Sequence, residues 1–171
     1  MRASLLFLLA LASVSSAALA EDVKTGMVRE VAAGPRSRAE LACDDGKTYV
    51  LRGHDEAADD ELRRLAGVKV KISGALEPSD RLAVERYEIL DVGGGVVPRL
   101  GTIAELTMAG EKRLIFVDDA GVAAFLPNGF TAKLKDSVGA RIWLVGTHKN
   151  EKLQVTRFAI LRPGKPVEPR P

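Results

Sequence analysis

The strongest constraint in this sequence is that it repeats. Gly67-Val68-Lys69-Val70-Lys71-Ile72-Ser73-Gly74 aligns with Gly139-Ala140-Arg141-Ile142-Trp143-Leu144-Val145-Gly146, 72 positions on. Leu82-x-Val84-x-x-Tyr87-x-Ile89-Leu90 then aligns with Leu153-x-Val155-x-x-Phe158-x-Ile160-Leu161, at an offset of 71. Upstream, Gly26-x-Val28-x-Glu30-Val31 matches Gly101-x-Ile103-x-Glu105-Leu106, and Asp44-Asp45 matches Asp118-Asp119. Four blocks in one order define two copies of a single unit, 25–91 and 100–162. The segment from Asp91 to Pro98, rich in Gly and Pro, separates them, with 92–99 as the expected linker.

Within a unit the periodicity is mostly that of strands. In the first copy Gly26–Val31, Arg38–Cys43 and Thr48–Arg52 read as three strands, with Asp44-Asp45-Gly46 as a hairpin turn. Asp59–Ala66 changes to a period of three and four, through Leu62, Leu65 and Ala66. Acids open it and Arg63-Arg64 close it, the charge order a helix dipole favours. Val68, Val70 and Ile72 alternate with polar residues as a fourth strand, and Leu82–Leu90 forms a fifth. The fifth strand changes parity between Val84 and Tyr87, as its copy does between Val155 and Phe158. One extra residue reverses every later side chain, so a β-bulge is predicted near Glu85-Arg86 and Thr156-Arg157.

The fold class is thus mainly β with short helices, in the order β-β-β-α-β-β, twice. This order, with the helix between strands three and four, resembles the OB-fold, and the pair is similar to small exported bacterial OB-type domains. The resemblance implies two tandem five-stranded barrels with a ligand face on strands two and three. A pair of SH3-like barrels and one ten-stranded sandwich are the rival architectures.

Residues 1–20 read as a secretory signal: Arg2, an apolar run from Leu5 to Ala12, and small residues at Ala18 and Ala20. Cleavage after Ala20 gives a periplasmic or secreted chain, and no later segment approaches a membrane span. Cys43 is the single cysteine and excludes an internal disulfide; its alternation with Ala39 and Leu41 places it inward, the alternative being a bond between chains. His54 and His148 are not at metal-ligand spacing, and no cofactor motif is present. The acids Asp55, Glu56, Asp59, Asp60 and Glu61 are helix-start charge rather than a calcium loop. The last residues, 163–171, read as an extended Pro-rich tail.

Charge divides between the copies. Residues 21–91 hold 12 basic and 16 acidic groups, net −4, and residues 92–171 hold 12 and 7, net +5. Arg141, Lys133, Lys135, Lys149 and Lys152 are the basic candidates for docking an acidic partner, either another protein or the acidic unit of a neighbouring chain. Trp143 aligns with Lys71 on the outward parity, where a tryptophan anchors a partner or covers the other unit. The outward set of strands two and three is Arg38, Glu40, Ala42, Thr48, Val50 and Arg52, without an aromatic. Single-stranded nucleic acids need stacking platforms, so the composition disfavours them. The expected role is an exported, non-enzymatic binding or scaffold protein of the bacterial envelope, its partner a protein or glycan. The alternative is oligosaccharide or oligonucleotide binding using Arg38 and Arg52; an enzyme is a third class with no nominated residues.

Overall fold

A computed structural model describes residues 21–33, 36–149 and 152–164. The expected signal segment and most of the Pro-rich tail lie outside the described residues. The fold is mainly β. The first unit consists of β1 (Asp22–Ala33), β2 (Arg36–Cys43), β3 (Thr48–Arg52), α1 (Glu56–Arg63), β4 (Lys69–Glu77) and β5 (Arg81–Asp91). The second consists of β6 (Arg99–Met108), β7 (Glu111–Asp118), β8 (Ala123–Phe125), α2 (Asn128–Leu134), β9 (Arg141–Lys149) and β10 (Lys152–Arg162).

Each unit is a closed five-stranded sheet with the same path. In the first, β1 pairs with β2 and β2 with β3; β3 then runs parallel to β5, β5 pairs with β4, and β4 returns to β1. The second copies this as β6-β7-β8-β10-β9. Closure leaves one interior per unit. Val28, Leu41, Val70, Ile72 and Leu82 fill the first, and Ile103, Phe116, Ile142, Leu144 and Leu153 the second.

The repeated residues are those that close the sheet. Val28 donates its N–H to Val68 C=O (3.0 Å) and accepts from Gly67 N–H (2.9 Å); Ile103 makes the same pair with Ala140 (3.0 Å) and Gly139 (2.8 Å). Gly67 and Gly139 hold φ of +81° and +80°, a conformation that a side chain disfavours. At the other end of the motif, a Cβ on Gly74 or Gly146 would run into the carbonyl oxygen of Ala83 or Gln154. Both glycines lie where the sheet bends at a bulge. Ser73 pairs with Arg86 and Gly74 with Val84, leaving Glu85 out; Thr156 is left out between Val155 and Arg157. The parity change in the sequence is this bulge.

Several boundaries differ from the sequence reading, β1 and β2 among them, which extend beyond the expected limits to Asp22–Ala33 and Arg36–Cys43. The first helix starts at Glu56, not Asp59, because Asp55 caps it, accepting from Ala58 N–H at 2.7 Å. It ends at Arg63 and continues as a turn to Gly67. The linker stops at Pro98, since Arg99 already belongs to β6. Asp91 shapes its start by accepting from Gly93 and Val96 N–H (2.7 and 2.9 Å).

Candidate functional site

Two regions bring functional side chains together: the seam between the units, and a groove on the first unit. The seam forms around α1. Ala58 and Leu62 face the interior, and Glu61, one residue from Leu62, is 3% exposed. The Tyr87 hydroxyl donates to Glu61 Oε1. From the second unit, Arg141 Nε lies 3.3 Å from Oε1 and an Arg162 guanidinium nitrogen 2.6 Å from Oε2. The Arg162 approach is close but not aligned as a hydrogen bond, so Glu61 Oε2 and Arg162 Nε are both buried without one. Arg141 also forks onto Asp119, at 3.0 and 2.9 Å. Burial, together with the Glu61 contact, pushes the Tyr87 hydroxyl pKa well up. Beside this cluster is a cavity of about 330 Å³.

Apolar contacts reinforce the seam. Leu161, fully buried, belongs to the core of the first unit although it is carried by β10, and Leu100 and Trp143 pack on the same cluster. A second irregularity in β10, between Ile160 and Arg162, leaves Leu161 out of register and frees it to point across. Arg64 donates to Leu161 C=O at 3.4 Å, and Arg157 reaches the linker carbonyls of Val92 and Gly93 (3.3 and 3.4 Å). Glu61 of the first unit thus places a carboxylate against two arginines of the second.

The groove lies on the β2–β3 face of the first unit, has a volume of about 980 Å³, and is bounded on one side by α1. Its floor carries Arg38 and Arg52, with Arg81 from the start of β5; its rim carries Asp55, Glu56 and Asp59. Most of these charges are engaged. Glu40 holds Arg38 (2.7 Å), and Asp59 accepts from Gly53 N–H (2.6 Å). Asp55 caps α1 and lies 3.3 Å from His54; the Ala58 N–H bond holds its carboxyl below the usual range. Arg52 and Arg81 are exposed and have no ionic partner among the described residues. Among the described residues no Phe, Tyr or Trp lines the groove. Ser37 also lines it, but its hydroxyl is turned to Glu30 (2.5 Å), so it does not stand as a nucleophile beside His54.

The sequence candidates thus separate. Arg38 and Arg52 share the groove. Arg141 and Trp143 face the other unit, and Trp143 is half-buried there instead of open to a partner. Lys133 and Lys135 are exposed at the end of α2, and Lys149 and Lys152 are paired at the β9–β10 hairpin, where their side chains lie outside the described residues. Arg141 is held at the seam by Glu61 and Asp119, whereas Lys133 and Lys135 are exposed at the end of α2. Cys43 is half-buried at the core edge, where burial raises its thiol pKa. Glu61, Tyr87, Arg162 and Arg81 were not singled out from the sequence. For Glu61 the one available signal was its place beside Leu62 on the inward side of the helix. Among the described residues no group of three His, Cys, Asp or Glu is arranged to hold a metal, and no helix is long and apolar enough to cross a membrane.

No protein-family model matches the chain, and no curated protein matches it.

Proposed function

We propose that this protein is an exported, non-catalytic binding module of the bacterial envelope, built from two OB-like barrels, with the first unit receiving the partner and the second bracing it. The observation that carries the reading is the groove: a large open concavity on the β2–β3 face that holds two arginines, Arg52 and Arg81, without ionic partners among the described residues. Arginine at an exposed, uncommitted position presents a planar fork of donors suited to carboxylates. The matching face of the second unit, on β7 and β8, carries Phe125 in the place of Val50. The strand path, with β3 parallel to β5 and closure from β4 to β1, supports the OB-like assignment. Export rests on the sequence of residues 1–20.

A site-specific photo-crosslinker tests this reading in the native host. Placed at Val50 in the groove, it is expected to give one discrete adduct that disappears when Arg52→Glu is introduced. At Lys71, on the outer face of β4, it is expected to give none. Equal adducts from both positions, or none from Val50, overturn the proposal. An adduct that is a saccharide instead of a protein assigns the groove to glycan binding.

A further inference from the structure

The groove on the first unit also restricts what its ligand looks like. Resting on the binding reading above, we infer that its ligand is an extended acidic segment of a protein, with carboxylates at alternate residues.

The first argument is spacing. Val50 is the parallel partner of Arg81, and Arg52 that of Ala83, so Arg52 and Arg81 lie on adjacent strands, two residues out of step. They share the outward parity with half-buried Val50, while Tyr49, Leu51 and Leu82 point into the core. Strands about 4.8 Å apart with a rise of about 3.3 Å per residue put these two Cα atoms about 8 Å apart. Side chains on one face of an extended peptide recur about every 6.6 Å. One guanidinium therefore meets one carboxylate at i and the other at i+2, with small adjustments of the flexible arginine stems. Adjacent carboxylates at i and i+1 point to opposite faces and satisfy only one arginine.

The second argument is the rim. Asp55, Glu56 and Asp59 line the same concavity, so it is bipolar and carries less positive charge than its arginines alone suggest. A densely charged polyanion would bring phosphates or sulfates against these carboxylates. Sparse carboxylates on one face of a strand avoid them, and the face between them is free to carry neutral or basic residues toward the rim. The absence of Phe, Tyr and Trp from the lining, among the described residues, removes the stacking that single-stranded nucleic acid and many sugars use. Val50 gives the floor a small apolar surface between the charges, which suits a backbone and short side chains.

The test uses the purified full-length protein and three fluorescent peptides of equal composition, four glutamates and four threonines: strictly alternating, paired as Glu-Glu-Thr-Thr, and blocked as four Glu then four Thr. Oligo-dT and an alginate oligosaccharide are the other arms. The alternating peptide is expected to bind at least about fivefold more tightly than the paired one, which has no two glutamates at i and i+2, roughly the 1 kcal/mol of a single well-placed ion pair. Arg52→Gln and Arg81→Gln, both exposed and remote from the core, are each expected to remove that preference while leaving the melting temperature unchanged. Equal affinity for the three peptides, or a preference that survives both substitutions, overturns the inference. Tighter binding of alginate or oligo-dT than of any peptide also overturns it but leaves the binding reading intact. Failure of every probe to bind, combined with no adduct from a crosslinker at Val50, defeats that reading itself.

Discussion

The two units share a strand path, a bulge, a pair of closing glycines and an ion pair, yet three matched positions do opposite things. Lys69 pairs with Asp44 (2.8 Å) on the surface, and its counterpart Arg141 pairs with Asp119, which the strand register (Gly26 with Cys43, Gly101 with Asp118) matches to Asp44, one residue off the sequence alignment. Arg141 alone has a second function, because its fork leaves Nε to reach Glu61 across the seam. Glu61 is buried on α1, while Lys133, the residue aligned with it 72 positions on, is exposed on α2. Both leucines are left out of register, Leu90 between Ile89 and Asp91 and Leu161 between Ile160 and Arg162, yet Leu161 is buried in the neighbouring core and Leu90 is only half-buried. A duplicated unit has two equal halves only as long as nothing touches either one. Once one copy leans on the other, matched residues divide into those facing the seam and those facing water.

That asymmetry is open to test, beginning with the largest effect. Leu161→Ala removes a fully buried side chain and is expected to cost about 3 kcal/mol, with Leu90→Ala below about 1.5 kcal/mol. Hydrogen exchange is expected to show that Leu161→Ala loosens the amides of β1, β4 and α1, in the unit that does not carry the substitution. Equal costs for the two leucines would show that the seam adds nothing to Leu161.

Glu61→Ala leaves two partly buried guanidinium groups short of an anion and is expected to cost about 2 kcal/mol. Lys133→Ala, on the exposed copy, is expected to change stability by less than about 0.5 kcal/mol. Urea denaturation measures both; similar values would mean that Glu61 is not the clasp.

Alkaline pH separates the copies by another route, since Tyr87 aligns with Phe158, which does not titrate. The folded-state pKa of Tyr87 is raised, so the folded chain holds this proton more tightly than the unfolded chain does. Its contribution is therefore complete below the ordinary tyrosine pKa of about 10 and is lost as pH rises beyond it. The melting temperature is expected to fall from pH 10 upward, and Tyr87→Phe to flatten that fall. An unchanged slope in the variant would place the alkaline loss elsewhere.

The smallest expected effect concerns the matched ion pairs. Lys69→Ala is expected to cost less than about 0.5 kcal/mol, as exposed pairs do, while Arg141→Lys, which gives up the fork onto Asp119 and the reach to Glu61, is expected to cost about 1 kcal/mol. Thermal unfolding at low and high salt resolves the two.

The sequence by itself determined the unit and its copy number. Periodicity of two placed Val68, Val70 and Ile72 inward, the glycines marked the turns and close approaches, and the parity break located the bulges at Glu85 and Thr156. These are local facts, set by strand geometry and steric limits on the backbone, so they are legible in a single chain. It also placed Arg38 and Arg52 on one outward face, because alternation fixes which side a residue takes. Only the tertiary structure decided what each outward residue meets. Arg141 and Lys69 occupy the same place in their units, and no local pattern says that one of them will find a buried carboxylate. Glu61 looked like one more helix-start acid until the second unit covered it. Burial of a charge is decided by neighbours distant in sequence, and so is the difference between an arginine that holds the molecule together and one, such as Arg52, that is left free to bind.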